Sequence, residues 1–226
     1  MIKNKKPIIF SDFDGTITER DVIVMIMEKF ALPEWVQIKD KILYERTITL
    51  KDGVEKLFGL IESNKKDQIV DFVKSEAKIR AGFDEFLDFC LKEKIEFNVV
   101  SGGLDFFVEP VLERYKSKLK IFCNKGDFKS EKIKIDYKYL PKSCSLCGEC
   151  GCCKIEIIEH YPKEEYARIL IGDSLSDLSS AKVVDIVFAR SDLIKYLEQD
   201  KISYISFSDF FEVKKQLAQK LLQTKI

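Results

Sequence analysis

Three short apolar runs in this chain stop abruptly at small or acidic residues, and that arrangement leaves few folds open. Pro7-Ile8-Ile9-Phe10-Ser11 ends in Asp12-Phe13-Asp14-Gly15-Thr16. Ile95-Glu96-Phe97-Asn98-Val99-Val100 ends in Ser101-Gly102-Gly103, and Ala167-Arg168-Ile169-Leu170-Ile171 ends in Gly172-Asp173-Ser174. Nearly continuous apolar runs are what strands buried on both faces require. Asp185-Ile186-Val187-Phe188-Ala189 and Ser203-Tyr204-Ile205-Ser206-Phe207 supply two more strand candidates, each followed by helical periodicity. Repeated βα units predict an α/β fold built on a doubly wound parallel sheet. The C-terminal ends of parallel strands share one edge, where ligands bind, so polar residues remote in sequence are gathered into one pocket.

The βα alternation is interrupted once. From Arg20 to Glu76 the spacing is helical: Val22, Ile23, Ile26, Met27 and Phe30, then Val54, Leu57, Phe58 and Ile61, then Ile69, Phe72 and Val73. No strand pattern breaks this stretch, which predicts an all-helical insertion. A helix is expected near Phe83–Glu93 and another from Leu104. Lys132–Tyr137 alternates polar and apolar and, with Lys120-Ile121-Phe122, predicts a small antiparallel excursion. A short helix is expected from Lys154.

At 226 residues the chain suits one core with an insertion. Lysine plus arginine number 38 and aspartate plus glutamate 38. That balance offers no global field for nucleic acid or an anionic membrane, and neither is expected as a partner. The one histidine, His160, argues against serine triads and histidine-rich zinc sites and is expected at the surface without a catalytic part. The chemistry is therefore expected to run on carboxylates. Met1–Gly15 fits neither a signal peptide nor a membrane helix, and a cytoplasmic protein is expected.

Asp12 and Asp14 stand two positions apart, which in extended backbone points both carboxylates to the same side. They would repel each other and an incoming phosphate unless a hard cation joined them, and ligation by carboxylates, water and phosphate is the Mg²⁺ pattern. Asp173 is the third candidate ligand. Ser101-Gly102-Gly103 can offer a hydroxyl and unobstructed backbone N–H groups to a phosphate. Lys154 can add a positive charge, with Lys142 as its rival. Together these pieces describe phosphoryl transfer to an aspartate.

Asp12-Phe13-Asp14-Gly15-Thr16, Ser101 at a strand end, a lysine before a helix, and Gly172-Asp173-Ser174-Leu175-Ser176-Asp177 resemble the four motifs of the haloacid dehalogenase superfamily. Further stretches are similar to its 2-hydroxy-3-keto-5-methylthiopentenyl-1-phosphate phosphatases of methionine salvage. They are Asp21-Val22-Ile23, Pro33-Glu34-Trp35, Val99–Phe107 and Val187-Phe188-Ala189-Arg190. The resemblance implies Asp12 as nucleophile and Asp14 as general acid and base. It implies Mg²⁺ on Asp12, the backbone carbonyl of Asp14 and Asp173, with Asp177 in support, and phosphate held by Ser101, Gly102 and Lys154. It also implies a core of residues 1–15 and 82–226 with a small helical cap over 16–81, which would close on a small phosphate ester. Glu19 is a candidate to face the pocket, and Trp35, Phe58 and Met25 are candidates for its wall or for plain core. Asp177 has a second reading, as a helix N-terminal acid.

Cys144, Cys147, Cys150 and Cys153 stand at successive C-x₂-C intervals within a cysteine-rich loop, 144–153, that also holds Cys152. In a reducing compartment such a cluster suggests a structural Zn²⁺ stapling the loop before Lys154, the alternative being reduced thiols in a flexible loop. Cys90 and Cys123 are expected to be buried free thiols. The expected enzyme is a Mg²⁺-dependent phosphatase, monomer or homodimer. Rival readings are a phosphoserine phosphatase of the same superfamily and a non-catalytic metal- or redox-sensing protein.

Overall fold

The computed structural model describes residues 5–141 and 150–224. Among them the strands form one sheet of seven, in the order β4-β3-β2-β1-β5-β6-β7. The strands are β1 (Lys6–Ser11), β2 (Glu96–Leu104), β3 (Lys120–Asp127), β4 (Lys134–Asp136), β5 (Tyr166–Gly172), β6 (Ile186–Ala189) and β7 (Ile205–Ser206). All neighbours pair in parallel except β3 and β4. The order reverses at β1, with β2 and β3 wound to one side and β5, β6 and β7 to the other. A crevice opens at the carboxyl end of such a strand.

The alternation within each strand explains why both faces need cover. Ile8 and Phe10 of β1 and Leu170 of β5 join one cluster with Ile157, Ile158, Leu193 and Leu197. Ile9 of β1 and Ile169 and Ile171 of β5 join the other, with Phe83, Phe86, Phe97 and Phe210. The first cluster is closed by α7 (Lys154–Glu159), α8 (Leu175–Ala181) and α9 (Ser191–Gln199). The second is closed by α5 (Phe83–Lys92), α6 (Asp105–Leu112) and α10 (Phe210–Thr224). There the ring of Phe83 meets Phe97, Tyr115 and Phe210 edge to face at 5.7, 5.0 and 4.9 Å. Buried aromatic pairs of this kind add about 0.5–1.5 kcal/mol each beyond burial of their area.

Between β1 and α5 come α1 (Val22–Phe30), α2 (Trp35–Leu43), α3 (Leu50–Phe58) and α4 (Lys66–Glu76). Asp21 caps α1 by accepting from the Val24 N–H at 2.9 Å, and Thr49 caps α3 by accepting from Asp52 at 3.0 Å. Short polar side chains at these positions satisfy donors that the first helical turn leaves open. Their apolar stripe is as the spacing predicts: Ile26, Met27, Leu57, Phe58, Ile69 and Val73 are buried.

One expectation is corrected. Residues 134–136 pair antiparallel with Lys125–Asp127, not with residues 120–122, which pair in parallel with Asn98–Val100 of β2. β3 is simply longer than its apolar run. The register of β2 against β3 shifts between Val100 and Leu104, so the strand carries an irregularity through Ser101-Gly102-Gly103.

Candidate active site

The carboxyl ends of β1, β2 and β5, with the first turns of α7 and α8, bring six of the expected residues within bonding distance: Asp12, Asp14, Ser101, Lys154, Asp173 and Asp177. Lys154, the first residue of α7, places Nζ 2.6 Å from Asp12 Oδ1 and 2.6 Å from Asp177 Oδ1. Asp14 accepts from the backbone N–H of Val22 at 3.0 Å and from the Ser101 hydroxyl at 3.3 Å. The α1 N-terminus and β2 therefore both hold that side chain. Thr16 donates its hydroxyl to Asp173 Oδ1 at 3.0 Å. Asp177 also accepts from the backbone N–H groups of Asp173 and Ser174, at 3.2 and 3.3 Å, and forms a capping box with Ser174. It thus serves the helix N-terminus and orients Lys154 at once.

Two glycines permit this closeness. Gly15 has φ +74°, and a Cβ there would lie 2.5 Å from Asp173 Oδ2. At Gly172 a Cβ would lie 2.5 Å from the Asp177 carboxylate. Any larger residue would push a carboxylate off its partners.

Burial dominates the electrostatics. It raises Asp12 to about 7, with the Lys154 charge opposing and Asp177 adding repulsion. It raises Asp173 to about 8, helped by the charges of Asp12 and Asp177. Asp14 stands well above the ordinary carboxylate range through burial and then the charges of Asp21 and Asp12. Burial pulls Lys154 down, but Asp12 and Asp177 outweigh it and hold the ammonium charged. One lysine cannot neutralise so many acids. Carboxylate oxygens of Asp12, Asp173 and Asp177 lie within 4.8 Å of one another. Since Asp177 is already engaged on both oxygens, Asp12 and Asp173 are the donors best suited to a hard divalent cation.

Asp12, Asp14, Lys154 and Asp173 floor a cavity of about 270 Å³, also reached by Gly102 and Gly103. An added Cβ at Gly102 would meet nothing, so that backbone opens onto free space. The far wall is chiefly apolar and aromatic, with Leu43, Leu50 and Val54 from the helices after β1, Tyr137 following β4 and Tyr196 of α9, and Asp21 and Lys51 also line the cavity. None of the five apolar and aromatic residues is readable from the sequence as cavity wall: Val54 belongs to a helical stripe that looks the same whether it faces a core or a cavity, and Tyr137 ends an alternating strand pattern. Of the wall candidates, Met25 and Phe58 are buried in the core and Trp35 packs against it. Glu19 is exposed and does not line the cavity. His160 is exposed on α7's C-terminal end.

Residues 150–153, which lead into Lys154, are anchored from beneath. The Cys153 N–H donates to the Tyr139 carbonyl at 2.7 Å. The buried Asn124 donates to the Gly151 carbonyl at 3.3 Å and accepts from the Lys138 N–H at 3.1 Å. Cys150 and Cys152 line the cavity, and burial raises the Cys152 thiol well above its ordinary range. Cys90 and Cys123 are buried thiols, each pushed up to about 12 by burial. Cys144, Cys147 and the rival Lys142 lie outside the described residues.

Comparison with known proteins gives the family and the fold. The family model for haloacid dehalogenase-like hydrolase matches residues 9–182. A protein of Brevibacillus brevis named 2-hydroxy-3-keto-5-methylthiopentenyl-1-phosphate phosphatase is 43% identical over 219 residues, 96% of this chain and 97% of that protein. One of the same name from Geobacillus thermodenitrificans is 44% identical over 211 residues, 92% of this chain and 94% of that protein. Among solved structures, a phospho-aspartyl intermediate analogue of phosphoserine phosphatase superposes with a TM-score of 0.69 at 20% identity, covering 94% of this chain and 99% of that one. That likeness establishes the α/β fold.

Proposed function

We propose that this chain, which belongs to the haloacid dehalogenase-like hydrolase family, is a Mg²⁺-dependent phosphatase of a small phosphomonoester that works through an aspartyl-phosphate. The substrate best supported is 2-hydroxy-3-keto-5-methylthiopentenyl-1-phosphate, the compound for which relatives matched over nearly their full length are named. The observation that carries the chemistry is the juxtaposition of Asp12, Asp14, Lys154 and Asp173 on one cavity floor.

In this reading Asp12 attacks phosphorus and the P–O bond to the substrate alkoxide breaks. Asp14, kept protonated by burial and by Asp21 and Asp12, gives its proton to the leaving oxygen. Once ionised, it takes a proton from the water that attacks the acyl phosphate, which restores Asp12. Lys154 offsets the negative charge of Asp12 and of the phosphate, and Ser101 and the Gly102 backbone hold the phosphate oxygens. Asp12, the Asp14 backbone carbonyl and Asp173 would hold Mg²⁺, with Asp177 in support. Bound there, the ion supplies the charge that keeps Asp12 ionised beside a phosphate dianion.

The helices of residues 16–81 act as a cap over the core of 1–15 and 82–226. Their Leu43, Leu50 and Val54 close the cavity with apolar surface. Such a wall suits a short thioether tail better than the charged amino and carboxyl groups of phosphoserine. Phosphate release from both esters, with and without Mg²⁺, tests the reading: it expects Mg²⁺-dependent turnover with the thioether ester strongly preferred. Preference for phosphoserine refutes the substrate assignment.

Three further proposals stand on sequence alone. A structural Zn²⁺ on Cys144, Cys147, Cys150 and Cys153 is tested by metal analysis of purified protein. The state, monomer or homodimer, is tested by sedimentation. A cytoplasmic location is tested by cell fractionation; none of the described helices is long and apolar enough to cross a membrane.

A further inference from the structure

Two arginines distant in sequence converge on a single backbone carbonyl. Arg80 Nη2 donates to Gly15 O at 2.7 Å, and Arg190 Nη1 donates to the same oxygen at 2.7 Å. Arg80 takes three more carbonyls of the same segment: Thr16 O at 2.8 Å, Thr18 O at 2.8 Å and Glu19 O at 3.3 Å. Its side chain is buried, at 8% exposure. Among the described residues Arg190 Nε is buried without a hydrogen-bond partner, and the side chain's bond there is the one to Gly15. Among the described residues neither guanidinium forms an ion pair. Two cations packed side by side and given to main-chain oxygens are costly unless the segment they hold must be fixed.

That segment follows Asp12 and Asp14 directly and leads into α1. It is stitched to residues 78–80 by a Thr18–Ile79 bridge, by the Glu19 N–H to Lys78 O at 2.9 Å and by the Arg80 N–H to Ile17 O at 2.8 Å. With Gly15 in the left-handed region, the turn has many alternative conformations open to it. In the one observed, Gly15 clears Asp173 and Thr16 donates to Asp173 Oδ1. We infer that Arg80, seconded by Arg190, is a positioning residue for the reaction: it clamps the carbonyls of Gly15–Glu19 so that the loop holds Asp14 and the Thr16–Asp173 bond in place. The inference rests on the aspartyl-transfer reading above. The planar, five-donor fork of arginine can span these carbonyls, whereas the three donors of a lysine ammonium radiate from one nitrogen and cannot reach all of them.

The test compares wild type with Arg80→Lys and Arg190→Lys, using Mg²⁺-dependent hydrolysis of p-nitrophenyl phosphate and hydrogen exchange of peptides covering residues 13–18. The expectation for Arg80→Lys is a kcat lower by about 10²-fold with KM nearly unchanged. Faster amide exchange confined to that loop is expected alongside it. Arg190→Lys should shift both readouts the same way but less, a kcat loss of about tenfold. A folded Arg80→Lys protein with wild-type kcat, or with loop exchange unchanged, overturns the inference. Should Arg80→Lys fail to fold, Arg190→Lys decides alone, and wild-type turnover there overturns it. If wild type itself releases no phosphate, the aspartyl-transfer reading fails, while the exchange comparison still decides the clamp.

Discussion

Lys154 Nζ sits 2.6 Å from Asp12 and 2.6 Å from Asp177, and all three side chains are at most 7% exposed. A buried cation shared by two carboxylates is worth less as a source of stability than as a constraint, because its desolvation offsets most of the attraction. Removing it leaves two uncompensated charges. Lys154→Met should therefore unfold at lower denaturant by about 3–5 kcal/mol, and Asp177→Asn in that background should recover part of the loss. Equilibrium unfolding checks both, and a Lys154→Met protein as stable as wild type would contradict the pairing.

Asp14 is placed to carry the proton rather than the phosphoryl group. Its carboxylate touches the Val22 N–H and the Ser101 hydroxyl, not Lys154. Asp14→Asn keeps the shape: its Oδ1 can still accept from the Val22 N–H, and its amide can donate to the Ser101 hydroxyl oxygen. The variant should fold like wild type by circular dichroism while turnover falls by about 10²–10⁴-fold. Wild-type turnover would remove the acid/base role.

Metal and protons compete for the same acids. Folding raises Asp12 from 3.8 to about 7 and Asp173 from 3.8 to about 8, so the folded metal-free protein holds protons that the unfolded chain has released. Stability from these two groups is full below 3.8 and is lost as pH rises through 7 and 8. Mg²⁺ replaces those protons. The Mg²⁺-induced rise in Tm should therefore be small near about pH 5 and large near about pH 8. Calorimetry with and without the ion measures it, and an equal rise at both would show that these acids do not bind the metal.

Val54 tests the apolar wall. Val54→Asp puts a carboxylate facing a dianionic ester, so KM for 2-hydroxy-3-keto-5-methylthiopentenyl-1-phosphate should rise by about tenfold or more. The kcat should stay close to wild type, because Val54 touches none of the reacting groups. Steady-state kinetics decide it, and an unchanged KM would place the tail elsewhere.

The parts legible in the sequence are those written in local chemistry. Apolar runs ending at Asp12, Ser101 and Gly172 announce the sheet and its shared edge, because strand burial leaves its mark on consecutive residues. Asp12 and Asp14 can be read together since only two positions separate them. The contacts of Arg80 and Arg190 are not legible, although Arg190 ends one of the stretches of resemblance, because they are made to carbonyls of Gly15–Glu19 and no spacing records a main-chain contact made across the fold. Leu43, Leu50 and Val54 were hidden for another reason: a helix facing a cavity has the same stripe as one facing a core. β3 was underestimated since Asn124 and Lys125 break its apolar pattern while still pairing.

The central claim is that Asp12 carries the phosphoryl group. The direct measurement is to quench the enzyme during turnover of a phosphomonoester in Mg²⁺, reduce acyl phosphates with borohydride and map the peptides by mass. The expected result is homoserine at position 12 in wild type and none in Asp12→Asn, which also releases no phosphate. Rapid phosphate release with Asp12 unmodified, or undiminished turnover in Asp12→Asn, would contradict it.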